Sequence, residues 1–204
     1  MRNMRSRLHD NCLGNGASQM STTWRSMARI SAAGAFWLLV IVAAAHGQTP
    51  APYVQQVAVV KTLKADLSTI GVIESGLSEK SLQEIRRAGL GQGIKIVIGR
   101  AGSAGEVGPL YKKLVSESGV QMIWIPDPSD DMLLGIGFEY LRENTLSDKV
   151  GLIVPVEGLV QSGALCSVMT DGGKLKAFVN QRVAQVVGAT IPAGDGETIT
   201  YVAR

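Results

Sequence analysis

The chain has 204 residues, of which 46% are apolar and only 5% aromatic, so it is long enough for one domain with tails and its core must be aliphatic. Of the four cysteines and histidines, Cys12, His9 and His46 all precede residue 47, which leaves Cys166 alone beyond it and excludes an intrachain disulfide, a Cys/His zinc site or a histidine-based triad there. The net charge of +3 comes from Arg2, Arg5, Arg7, Arg25 and Arg29 set against Asp10 in residues 1–47, while the other 15 basic and 16 acidic residues nearly cancel, so no basic face for nucleic acid is implied.

Ala32 to Ala45 is a run of 14 uncharged residues behind Arg25 and Arg29, followed by Ala45-His46-Gly47 with small residues at both outer positions. That order predicts a Sec-type export signal over 1–47, cut after Gly47, and a periplasmic location. A spanning helix needs about 20 apolar residues, so an uncleaved membrane anchor is the lesser alternative. Met20 or Met27 is an alternative start. Residues 48–53 form a short linker, and 54–204 have globular composition.

Val54 to Leu63 predicts a helix, and Ile70 to Glu74 a strand. Ser78 is an N-cap for a helix reaching Leu90, stopped by Gly91-Gln92-Gly93. Ile94 to Ile98 is the next strand, and Ser103 to Ser118 has helical spacing. Gln121 to Ile125 is a strand closed by Pro126 and Pro128. Ser129 is an N-cap for a helix to Asn144, with Asp130 and Asp131 in its first turn. Gly151 to Val156 is a strand, Glu157 to Ser162 a short helix, and Ala164 to Met169 a strand. Gly172-Gly173 predicts a hairpin into Lys174 to Val179. Asn180 caps a helix over 181–187, and Ile199 to Val202 could add an edge strand. Short apolar strands alternating with helices predict an α/β, three-layer sandwich with a mainly parallel five-stranded sheet in flavodoxin-like order 2-1-3-4-5. Tyr111, Trp124 and Cys166 read as core.

Four segments carry a family likeness: IGVIESG (70–76), MIWIPDPSD (122–130), VPVEGLVQSGALCSV (154–168) and KLKAFVNQRVAQVVGATIP (174–192). In order and spacing they resemble one lobe of a periplasmic substrate-binding protein. More narrowly, they resemble the uncharacterised ABC transporter substrate-binding family, whose relatives bind aromatic or other amino acids. The resemblance implies a ligand-binding or sensory role, with a small molecule such as an amino acid as ligand. It also implies a membrane transporter or receptor as partner. The family has two lobes and residues 48–204 supply one, so a homodimer completing the cleft is a further expectation. A protein-interaction module that kept the fold without ligand binding is the alternative.

Ligands of open parallel sheets bind beyond the carboxyl ends of the strands. There the chain places Glu74, Ser75, Arg100, Ser103, Asp127, Ser129 and Glu157. Arg100 and the Ser103 turn suit an anion, and Glu74 or Asp127 an ammonium. Gly99, Gly102 and Gly105 lack the close pair of a dinucleotide loop. Asp127, Asp130 and Asp131 lack the spacing of a calcium loop, and nothing favours Glu74, Asp127 and Glu157 as glycosidase carboxylates. No cofactor, metal or catalytic constellation is expected, and hence no enzyme.

Overall fold

A computed structural model of the chain describes residues 48–192 and 199–203. The export signal and its cleavage site lie outside these described residues. The elements in chain order are β1 (Thr49–Pro50), α1 (Tyr53–Leu63), β2 (Thr69–Glu74), α2 (Glu79–Gly91), β3 (Lys95–Arg100) and α3 (Ala104–Ser118). They continue with β4 (Met122–Trp124), a π-helical turn (Leu133–Gly137), α4 (Phe138–Ser147), β5 (Gly151–Ile153) and α5 (Gly158–Gln161). Last come β6 (Cys166–Asp171), β7 (Lys174–Val179), α6 (Gln181–Val187) and β8 (Ile199–Ala203).

The sheet order is β3-β2-β4-β5-β6-β7-β8, with β1 paired to β6. The first five strands are parallel, which is the expected 2-1-3-4-5 order. The sheet is larger than the five strands expected. β7 returns antiparallel to β6, β8 runs parallel to β7, and Thr49–Pro50, in the expected linker, pairs antiparallel with Thr170 and Met169. β7 follows from Gly172 and Gly173, whose φ of 56° and 82° close a two-residue hairpin between Asp171 and Lys174.

The crossovers place α1, α2 and α6 on one face and α3, α4 and α5 on the other. α1 buries Val57, Val59, Val60 and Leu63 against Ile70 and Val72 of β2. Each such side chain contributes about 1.5–3 kcal/mol when fully buried. On the opposite face Val107, Tyr111 and Leu114 of α3 meet Phe138 and Leu141 of α4. The Tyr111 hydroxyl crosses to Asp148 at 2.8 Å and fixes α3 to the end of α4.

Helix starts test the local reading. Ser78 accepts from Ser81 N–H, and Asn180 accepts from Val183 N–H, both as expected from the sequence. Ser129 is not the cap of the third long helix. Asp127 Oδ1 takes both the Ser129 amide and hydroxyl, which turns the chain one residue further, and Asp130 Oδ1 caps through Leu133 N–H at 2.9 Å. The helix then passes through the π-turn, in which Gly135 leaves helical geometry (φ −95°, ψ −106°), before α4 resumes.

Cys166 is fully buried, and burial pushes its thiol from 9.0 up to about 12, because a thiolate there would lose its hydration. The folded state therefore holds this proton more tightly than the unfolded state. The associated stability is whole below pH 9 and is lost as pH rises towards 12. Cys166→Ala is expected to lose stability less steeply than the parent between pH 9 and 11 in urea titrations. Parallel profiles would show that another group titrates.

Candidate functional site

The loops beyond the carboxyl ends of β2, β3, β4 and β5 form one rim. β2 and β3 pair with Glu74 opposite Arg100, so both side chains point to the face covered by α1 and α2. The Glu74 side chain is 1% exposed and that of Arg100 60%. Arg100 Nε donates to Glu74 Oε1 at 2.6 Å, and Leu77 N–H donates to Oε2 at 2.8 Å. Both carboxylate oxygens therefore have internal partners, and Glu74 meets a ligand only by way of Arg100. The hydrogen bond to Glu74 raises the Arg100 pKa further above its ordinary value. The two terminal nitrogens of Arg100 have no hydrogen-bond partner among the described residues.

Next along the rim, exposed Ser75 donates its hydroxyl to Asp130 Oδ2. This bond joins the loops after β2 and β4. These are the strands between which the order reverses, the place where open α/β sheets take their ligands. Asp127 lies in the same loop as Asp130 and is half-buried. Its Oδ1 holds Ser129, while Oδ2 has no hydrogen-bond partner among the described residues. Ser129 is exposed and spends its hydroxyl on Asp127. Ser103 precedes α3 without capping it, since Glu106 instead takes the Gly102 amide at 2.7 Å. Glu157 is half-buried at the head of α5, in the loop after β5.

Two residues join this set without having been singled out as ligand contacts. Asp130 is buried and organises the loop. Tyr53 opens α1, and its ring stands edge-on to Trp124 at 5.6 Å. Burial raises the Tyr53 pKa, a hydrogen bond with Ser81 lowers it, and the charges of Asp127 and Glu84 raise it. The phenol thus lies at the same corner as the Asp127 loop. A side wall adjoins the rim. Cys166 is level with Ile153, the last residue of β5, so Ser167 to Asp171 run on past it. Five residues at about 3.3 Å each carry β6 roughly 16 Å beyond the floor, with β1 on one side and β7 on the other. Among the described residues no group of three or more His, Cys, Asp or Glu side chains could hold a metal ion, and no helix is long and apolar enough to cross a membrane.

No protein-family model matches the chain, and no curated protein matches its sequence. Solved structures do match in shape. An ABC domain from Streptococcus pneumonia in complex with L-Trp superposes with a TM-score of 0.62 at 23% identity, over 74% of this chain and 62% of that one. A ligand-free, open substrate-binding protein with adhesive properties from Clostridium difficile gives 0.57 at 16%, over 72% and 58%. A conserved domain protein from Vibrio cholerae gives 0.61 at 18%, over 75% and 60%.

The fold is periplasmic-binding-protein-like.

The chain spans about three fifths of the length of each of these structures. The likeness is one of fold. The ion pair, the Ser75–Asp130 link and the Asp127 loop are features of this chain's own residues.

Proposed function

We propose that this protein is an exported, non-enzymatic ligand-binding or sensory protein, comparable to the substrate-binding component of an ABC transporter and working in the periplasm. Its ligand is a small molecule such as an amino acid. The observation that carries this reading is Arg100, held by a buried carboxylate with its terminal nitrogens unpartnered among the described residues, beside the switch point of the sheet. A ligand carboxylate would dock on those nitrogens. Asp127 Oδ2 would face a ligand ammonium, with the Ser103 hydroxyl, Ser75 and Tyr53 lining the remainder. A transporter or receptor, or a second copy closing over the rim, are the partners this reading requires. A likeness to a protein solved with L-Trp supports the choice of ligand class.

The test is a thermal-shift panel of amino acids, small carboxylates, purines and sugars on the purified protein. At 100 times Kd a ligand adds about 2.7 kcal/mol to stability, a shift of several degrees. Arg100→Ala is expected to weaken any carboxylate hit by roughly 10- to 100-fold, the loss of one charge-assisted bidentate contact, and also to lower the melting temperature without ligand, because it leaves the buried Glu74 carboxylate without its ion-pair partner. A cooperatively folding protein that responds to nothing in the panel would move the reading to a docking module that has kept the fold for a protein partner.

A further inference from the structure

We infer that Glu74 sets the charge selectivity of the Arg100 subsite, which restricts its ligands to zwitterions and disfavours dianions. This rests on the ligand-binding reading of the same rim and deepens it.

The argument starts from register. Glu74 and Arg100 are 26 residues apart yet directly opposed across β2 and β3. The acid is the buried member and the base the exposed one. Arg100 contributes one of its five donors, Nε–H, to Glu74 Oε1, and its two terminal nitrogens have no hydrogen-bond partner among the described residues. They keep the fork that matches a carboxylate. The guanidinium charge, however, is already balanced by a carboxylate 2.6 Å away that cannot leave, because Leu77 N–H holds its second oxygen. Acidic side chains stand in the surroundings as well. Glu106 closes on the Gly102 amide in the next loop, Glu79 stands at the start of α2, and Asp127 lies two strands away. A monocarboxylate bound on the fork therefore makes the group net negative unless the ligand brings its own cation. A zwitterion does so, whereas a dicarboxylate adds two charges where only one donor fork is present. Glu74 acts here as a positioning residue for Arg100 and as its fixed counter-charge.

The experiment is titration calorimetry on the full chain with three probes of different charge. These are L-leucine as zwitterion, L-leucinamide as cation and succinate as dianion. The variants are Glu74→Gln and Arg100→Gln. The wild type is expected to prefer L-leucine. Glu74→Gln, which keeps an oxygen for Arg100 Nε but removes the counter-charge, is expected to raise the succinate-to-leucine affinity ratio by about tenfold, the effect of one unit charge at a few ångströms under partial screening. Arg100→Gln is expected to raise the leucinamide-to-leucine ratio by about the same factor. If Glu74→Gln does not fold, the wild type alone decides the matter, because succinate bound as tightly as L-leucine overturns the inference. A merely structural role for Glu74 would lower all affinities together and leave the ratios unchanged, which overturns the inference while leaving ligand binding intact. Binding of none of the three probes by the wild type overturns the inference, and the panel described above then shows whether the ligand-binding reading falls with it.

Discussion

Trp124→Ala is expected to lower the unfolding free energy by about 3–5 kcal/mol, roughly 10–15 °C in melting temperature for a domain of this size. Trp124 is 1% exposed, ends β4 and carries Tyr53 edge-on above it. Truncation removes the largest buried side chain beneath the Asp127 loop, and the rigid β-strand around it cannot collapse into the space. Trp124→Phe provides the contrast. The indole Nε1–H is buried without a hydrogen-bond partner among the described residues. Phenylalanine keeps the ring contact with Tyr53 and removes that unsatisfied donor, so a loss of only about 1 kcal/mol or less is expected. Chemical denaturation of the two variants measures both. Equal losses would mean that volume in this place counts for little and that the loop above is held by other contacts.

Gly89→Ala has the second large effect, and its sign is opposite to the usual one. Glycine inside a helix ordinarily costs about 1 kcal/mol relative to alanine. At Gly89, in the last turn of α2, a Cβ would lie 2.3 Å from Ile96 Cγ1 and 2.8 Å from the Ile94 carbonyl oxygen. The isoleucine side chain could turn aside. The carbonyl cannot, because Ile94 N–H is itself bonded to Gly89 O at 2.9 Å, which fixes the tight turn into β3. A loss of about 2–3 kcal/mol is expected, typical of forced overpacking. Gly91, two residues on, has nothing within 4 Å of its Cβ position, so Gly91→Ala should be neutral or slightly stabilising. If Gly89→Ala melted no lower than Gly91→Ala, the close approach of α2 to β3 would be refuted.

These positions also show what could be seen in the sequence. Period and punctuation reveal the alternation of strand and helix, because β2, β4, β5 and the first four residues of β6 are buried on both faces while the long helices bury one stripe. That alternation was enough for the 2-1-3-4-5 order, since short right-handed crossovers leave few alternatives. The caps at Ser78 and Asn180 were visible because each stands as the lone polar cap before an apolar repeat. The run Asp127-Pro128-Ser129-Asp130-Asp131 offers several caps at once. Asp127 claiming the Ser129 amide decides among them, a contact that local spacing does not reveal. The role of Glu74 was hidden for another reason. As a loop-edge acid it reads as open to solvent, and only the pairing register of β2 with β3 brings Arg100 to it. Tyr53 lies more than 70 residues from Asp127 and reads locally as the residue ahead of an apolar helix. Its place at the rim comes from the packing of α1 on Trp124.

The extra strands bear on how this protein should be handled. β1 runs antiparallel to β6 with Thr49 opposite Thr170, so Gln48 sits near the tip of the β6–β7 hairpin, on the side where the rim opens. β8 descends from Ile199, opposite Leu175, to Ala203, opposite Val179, which in turn faces Cys166 at the foot of the wall. That is a drop of four residues, about 13 Å. A label placed beside Gln48 would crowd the rim, whereas one placed beside Ala203 would start well below it. Sensor chips and fluorescent labels should therefore be attached beside Ala203, which leaves the rim open to solution.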